Sequence, residues 1–243
     1  MTNPYDDPEI ADIYDHTFGW APDNEFYFAY MQRADRVLDI GCGTGHQFRG
    51  AWDRGWRGRG TGIDPARGML DRARLHPQFE WLQGTAPEFD WADEFDFALM
   101  TGHAFQYLLS EAEILATLKA VRRFLKTGGR FGFETRNPLV KGWEGWPERY
   151  GGSTTNSRGE VIEKEYRVAK NVEDRWITNS WIETSPAWPR PLSGSETLYF
   201  ARKEELDRLF DKAGLELVSQ YGDFALNPYS PDSPEIISVV RKA

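Results

Sequence analysis

The chain has 243 residues and a net charge of −9, with 40% hydrophobic, 14% aromatic and 28% charged residues. So much apolar and aromatic surface excludes disorder as the dominant state, and no window offers the roughly 18 uninterrupted apolar residues of a membrane helix. The acidic balance excludes general nucleic-acid binding, which needs clustered Lys and Arg to displace counterions; the Arg-rich stretch from Arg49 to Arg74 reads as solvated helix and loop faces.

The length suits one large α/β domain with an appended subdomain. The N-terminus, MTNPYDDPEI, lacks the basic and apolar regions of a secretory signal, so a cytoplasmic location is expected. One cysteine, Cys42, allows no intrachain disulfide, and His16, His46, His76 and His103 lack metal-ligand spacing, so no metal is expected.

Residues 1–35 read as a lead-in, acidic and then aromatic at Phe26, Tyr27, Phe28 and Tyr30, with a helix over about 23–32 capped by Asp23 or Asn24. From 36 to about 135 strands and helices alternate. Val37-Leu38-Asp39-Ile40 is a short apolar run ahead of glycines, hence a buried strand. A helix over 44–53, a strand over 58–63, a helix over 67–75 that ends before Pro77, and strands over 79–83 and 95–100 follow. Ser110 caps a helix to about 125, with Glu113 completing a capping box and Gly128-Gly129 ending it; a fifth strand spans 130–135. Strands separated by helices of this length imply right-handed crossovers and a parallel sheet.

The rhythm changes over 137–191, which is rich in Pro, Gly and Trp. Two alternating runs, 161–172 and 175–184, read as antiparallel strands turning at 171–174, joined by a third over 195–200. Trp143, Trp146, Trp176, Trp181 and Trp188 are expected to form the small core of this insertion, a lid above the carboxyl edge of the sheet. An amphipathic helix over 203–213, stopped by Gly214, then leads to strands over 215–221 and 235–241. Their Pro-rich connection is too short for a helical crossover, so they are expected to be antiparallel.

The informative stretch is VLDIGCGTG, Val37 to Gly45, where a strand runs into a glycine-rich turn and then a helix. Glycines let backbone approach a ligand, and the helix start presents unpaired N–H groups. Asp64, at the end of the second expected strand, is an acid suited to ribose hydroxyls. A dinucleotide turn wants G-x-G-x-x-G; Gly41 and Gly43 fit, but His46 occupies the third position. Asp39 at the mouth of the turn repels a pyrophosphate and attracts a cation. At an effective dielectric near 20 a charge pair about 4 Å apart is worth roughly 4 kcal/mol. S-adenosylmethionine carries an ammonium, a sulfonium and a ribose, and no phosphate.

With Asp39, Gly41, Gly43, Gly45 and Asp64 in place, the chain resembles the class I S-adenosylmethionine-dependent methyltransferases, in particular their small-molecule branch. The resemblance implies a Rossmann-like, doubly wound α/β sheet of seven strands with an antiparallel last strand, here with an inserted small antiparallel β subdomain. The implied division is 1–35 as a helical lead-in, 36–136 and 195–243 as the cofactor domain, and 137–194 as the lid. By matching position, Gly41 and Gly43 line the methionine portion, with Cys42 and Gly45 in the same loop. Asp64 binds the ribose, Pro65 follows it, and Met69 packs on the adenine. Thr85 stands where the family usually has an acid, next to Ala86, and Tyr14 resembles an N-terminal tyrosine near the cofactor carboxylate. The loop from Thr101 through His103 borders both cofactor and acceptor.

His103 and Glu134 are the candidate catalytic residues. His103 is a base or an acceptor contact; Glu134 faces the pocket or pairs with Arg136. Cys42 reads as packing rather than a nucleophile, and His46 is placed to approach the cofactor carboxylate. Methyl transfer to a small-molecule acceptor by in-line displacement needs mainly alignment. The rival readings are an NAD(P)-dependent oxidoreductase and a non-catalytic cofactor-binding protein. A homodimer is the assembly considered, with neither nucleic acid nor membrane as partner.

Overall fold

Burial sorts the chain into two sheets. In the computed structural model, which describes residues 3–243, α1 (Pro8–Thr17) and α2 (Pro22–Met31) precede an alternating run. That run is β1 (Arg36–Ile40), α3 (His46–Asp53), β2 (Arg59–Asp64), α4 (Arg67–Ala73), β3 (Glu80–Gln83), β4 (Phe95–Met100), α5 (Glu111–Phe124) and β5 (Leu125–Arg136). Then come α6 (Trp146–Tyr150), β6 (Gly152–Thr155), β7 (Val161–Val172), β8 (Trp176–Thr184), β9 (Leu192–Tyr199), α7 (Lys203–Ala213), β10 (Leu215–Tyr221) and β11 (Glu235–Lys242).

Seven strands form one sheet in the order β10-β11-β5-β4-β1-β2-β3. β1 to β5 pair in parallel, and β11 runs antiparallel to both β5 and β10. This is the doubly wound sheet with an antiparallel last strand that the sequence predicts. Continuous apolar strands such as β1 and β4 must be covered on both faces. One face meets α5 and α7 through Leu118, Val121, Leu206 and Phe210. The other meets α2, α3 and α4 through Tyr27, Met31, Phe48 and Leu70. Because β1 lies between β4 and β2, the winding reverses there, and a crevice opens at the carboxyl ends of those strands.

Several local expectations shift. The α2 cap is Ala21, two to three residues earlier than expected: Pro22 takes the first helical position and the Asn24 side chain accepts from the Ala21 N–H at 2.9 Å. Ser110 Oγ accepts from the Glu113 N–H at 3.2 Å, but Glu113 reaches back to the Leu109 N–H, so only half of the capping box forms. Gly128 and Gly129 do not end α5. The helix stops at Phe124 because buried Leu125 already pairs with Phe95, and Gly128, at φ 78°, serves the register shift within β5.

The inserted residues form a second, antiparallel sheet, β6-β7-β8-β9. Glu173 and Asp174, at φ 55° and 52°, turn the β7–β8 hairpin. The tryptophans divide. Trp143 and Trp146 build a small core with Ile177, Leu198 and Phe200. Trp176 packs on Tyr199 and donates to the Leu109 carbonyl, Trp188 donates to Glu160, and Trp181 turns toward Tyr5.

The lead-in also holds α1, which the sequence reading omits. Its acids tie the two sheets together. Asp12 accepts from Arg72 on α4 and from Ser157 beyond β6, and Asp15 accepts from Thr44 and Arg49. Arg49 and Arg72 are therefore half-buried ion-pair partners rather than solvated charges. No helix among the described residues is long and apolar enough to cross a membrane.

Candidate active site

The turn after β1 is stitched to β2 by the Gly41 and Cys42 N–H groups, which both donate to the Ile63 carbonyl at 2.8 and 3.0 Å. Gly41, Gly43 and Gly45 all take left-handed φ, at 71°, 54° and 77°, a region costly to residues with a Cβ. Their surroundings differ. A Cβ on Gly41 would sit 2.8 Å from the Ala104 Cβ, and one on Gly45 would enter the Trp81 ring. Around Gly43 nothing lies within 4 Å, so this glycine leaves open space where a ligand can approach the backbone.

Asp64 closes β2. Its Oδ2 accepts from the Gly43 N–H and its Oδ1 from the Ala66 N–H, each at 2.8 Å. Burial pushes its carboxyl up to about 6, against the pull of these two bonds. Asp39 is fully buried, and neither carboxylate oxygen has a hydrogen-bond partner. Burial, then the charge of Asp64, pushes it up to about 8. A buried carboxylate without partners is costly unless something supplies a cation or donors. Cys42 is buried and its thiol is raised well above the usual range by burial, which makes it a packing residue.

The walls come from further elements. Met69 packs with Ala11 and Ala66 beneath Tyr5 and Tyr14. Thr85 donates from both its N–H and its Oγ1 to Glu88 Oε2, a cap of the exposed turn that follows β3. Ala86 is buried, while Pro65 is exposed and its carbonyl accepts from Gln83 Nε2 at 3.0 Å. Thr101 is half-buried just beyond β4.

Beyond Thr101, Gly102 and His103 both adopt left-handed φ, 64° and 61°. For histidine this is uncommon and is held by a specific bond: its N–H donates to Glu134 Oε1 at 2.8 Å. The Tyr27 hydroxyl donates to Glu134 Oε2. Glu134 therefore does not pair with Arg136, which donates to Gln106 Oε1 at 2.8 Å instead. Burial pushes Glu134 up to about 8, opposed by the Tyr27 and His103 bonds. The His103 Nε2 lies 3.1 Å from both carboxylate oxygens of Glu235, the first residue of β11. Burial and Arg136 lower the imidazole, while Glu235 opposes them. The Tyr14 hydroxyl faces Gly102, 3.5 Å from where a Cβ would lie.

His46 does not join this group. It lines a cavity of about 280 Å³ with Asp15, Arg49, Asp53, His76 and Gln78. The sequence reading omits Glu235 and the role of Tyr27. Glu235 at the head of the last strand was the legible signal, since the topology brings that strand beside β5.

The methyltransferase-domain family model matches residues 37–129, the segment that carries the glycine turn, Asp64 and the β4 loop. The chain is an S-adenosylmethionine-dependent methyltransferase, similar to the class I family through its methyltransferase domain. This methyltransferase is 25% identical over 214 residues to the cypemycin N-terminal methyltransferase of Streptomyces sp, covering 85% of this chain and 82% of the relative. Its fold is shared by the CcbJ methyltransferase of Streptomyces caelestis, at a TM-score of 0.75 and 24% identity over 99% of this chain and 98% of that one. It is shared too by an S-adenosylmethionine-bound amino pentose methyltransferase from Micromonospora echinaspora, at 0.66 and 21% identity over 93% of each chain. The methyl donor is S-adenosylmethionine. The residues present fit it: Asp39 is buried with neither oxygen partnered, and Asp64 ends β2 beside the open space at Gly43.

Proposed function

We propose that this methyltransferase acts on a small-molecule acceptor that meets the methyl group beside His103, under the four-stranded sheet. The observation that carries this is the fixing of His103 at both ends, its backbone by Glu134 and its ring by Glu235. S-adenosylmethionine, when bound, supplies an activated methyl group with a neutral thioether as leaving group. The protein's remaining tasks are holding, orienting and proton removal.

In this reading Asp39 faces the cofactor's ammonium, Asp64 the ribose, Met69 the adenine, and the backbones of Gly41, Cys42, Gly43 and Gly45 the methionine portion. Pro65, Thr85, Ala86 and Thr101 complete the wall, and Tyr14 covers the β4 loop. A carboxylate at Nε2 keeps the proton on that nitrogen and leaves Nδ1 as the lone pair that accepts from the acceptor. Glu134 holds the loop rather than touching the acceptor. Because β9 pairs with β8 as far as Tyr199, the boundary expected at 194/195 moves to the end of that strand: the cofactor domain comprises 36–136 and 200–243, the lid 137–199 and the lead-in 1–35, and the protein works in the cytoplasm as a homodimer.

Support for a small acceptor comes from relatives: a structural relative methylates an amino pentose, and another is a sugar N-methyltransferase. The test is methyl-labelled cofactor incubated with a metabolite extract and, separately, with protein and RNA. Label in small molecules alone is expected; label in a macromolecule alone overturns the proposal.

A further inference from the structure

The inner face of the four-stranded sheet carries buried polar groups that the protein does not satisfy. Asn179 on β8 is fully buried, and neither end of its amide has a hydrogen-bond partner. The Trp181 Nε1–H, two residues on and so on the same face, is likewise buried and unpaired. Native structures pair nearly all such groups. Room for the indole is built in: opposite Trp181 stands Gly194, where a Cβ would strike the ring.

An acid lies beside them. The β8–β9 register sets Glu196 opposite Asn179, so the two side chains share this face. Glu196 Oε2 accepts from the Tyr5 hydroxyl at 2.8 Å and from the Tyr107 hydroxyl. Among the described residues, no hydrogen bond reaches its Oε1. The Tyr5 ring lies 6.3 Å from those of Tyr14, Tyr107 and Trp181, which joins this wall to the tyrosine facing Gly102. Tyr107 also ends the short 3-10 turn Ala104–Tyr107 that His103 caps. Glu183, on the same face of β8, is buried and pairs at 2.9 Å with Lys164, whose Nζ lies 5.3 Å from the Trp181 ring centroid. The acids near the crevice are thus Glu134, Glu183, Glu196 and Glu235, and the cations Lys164 and Arg136 are engaged by Glu183 and Gln106.

We propose that this face is the acceptor site and that the acceptor is an amine with further hydrogen-bonding groups, such as hydroxyls. The inference rests on the small-molecule reading and deepens it. Glu196 and the faces of Tyr5 and Tyr107 draw the protonated amine, an acid with aromatic walls being the usual receptor for such a cation; the Trp181 ring is already faced by Lys164 and contributes its Nε1–H instead. Asn179 and the Trp181 Nε1–H pair with the neighbouring polar groups. One N–H proton passes to the His103 imidazole. The freed nitrogen lone pair forms the new N–CH3 bond as the S–CH3 bond breaks. The electron pair of that bond stays on sulfur and cancels the sulfonium charge.

The test uses the full chain. S-adenosylmethionine is first titrated calorimetrically into wild type, Glu196→Gln and Asn179→Ala, with thermal melts as a check of folding. Each is then given methyl-labelled cofactor and a panel of amino sugars and aliphatic amino alcohols, each paired with the counterpart in which hydroxyl replaces the amine. Label is expected in amines and not in their hydroxyl counterparts. Glu196→Gln, which keeps the side-chain volume, should raise KM for the amine by about tenfold or more with cofactor affinity unchanged, the loss of one charge-assisted contact. Asn179→Ala should raise KM more for hydroxylated amines than for simple ones. Equal labelling of the hydroxyl counterparts, an unchanged KM in Glu196→Gln, or no labelled amine from an enzyme that binds the cofactor overturns the inference. A wild type that binds no S-adenosylmethionine refutes the cofactor site instead.

Discussion

Replacing Asp39 with Asn removes a proton from the cofactor-binding reaction. The carboxyl is pushed up to about 8 by burial, so at pH 7 about nine-tenths of the free protein carries it protonated. Pairing with the cofactor's ammonium favours the ionised form and expels that proton. The ligand's own α-amino group sits beside a carboxylate, as in a free amino acid, and stays protonated at pH 7, so it takes up almost no proton. Wild-type binding should therefore release roughly nine-tenths of a proton at pH 7, and less as pH rises through the Asp39 value and the free carboxyl is already ionised. Asp39→Asn should show almost no proton exchange at pH 7. The assay is calorimetry with S-adenosylhomocysteine, which keeps the amino group, in phosphate and Tris. The slope of apparent enthalpy against buffer ionisation enthalpy counts the protons. Equal slopes for wild type and variant at pH 7 would refute the pairing of Asp39 with the ammonium.

Glu235→Gln should change the pH profile more than the fold. Glu235 opposes the lowering of His103, so its loss lowers the imidazole further, and the acid limb of kcat/KM moves to lower pH; an unmoved limb excludes His103 as the base. Tyr27→Phe leaves Glu134 Oε2 without its donor in a buried site, at a cost of about 1–3 kcal/mol. For a chain of this size that is a fall in Tm of roughly 3–10 °C, and an unchanged melt would contradict the role of the contact. Gly41→Ala forces a side chain onto a left-handed residue and into Ala104, at a cost of about 1–3 kcal/mol, and should lower both Tm and cofactor affinity; full retention of both would show that the turn yields freely.

The parts legible in the sequence were those fixed by short-range physics. The apolar run of β1, the glycines after it and Asp64 at the end of β2 each constrain their own neighbourhood, and they predict the crevice correctly. The helix over Lys203–Ala213 and the antiparallel tail follow from periodicity and a loop too short for a crossover. What was not legible depended on long-range contact. Helix α1 has a weak apolar stripe and is held by Asp12 and Asp15 against arginines over 30 residues away. The Tyr27–Glu134 bond spans 107 residues and the His103–Glu235 pair 132, so no local pattern announces either. Arg136 and Glu134 lie two apart on β5 and so share a face, which made an ion pair the natural reading; instead Gln106 takes the arginine while Tyr27 and the His103 N–H take the carboxylate. The glycines at 128 and 129 carry the composition of a helix end but serve a bulge, because buried Leu125 had already started the strand.

The most direct measurement is a crystal structure with S-adenosylhomocysteine bound. Ribose hydroxyls are expected within hydrogen-bond distance of Asp64, the amino group beside Asp39, and the sulfur turned toward the loop that carries His103. An adenosine found away from the ends of β1 and β2, or an Asp39 still without a partner beside the bound ligand, would contradict this placement.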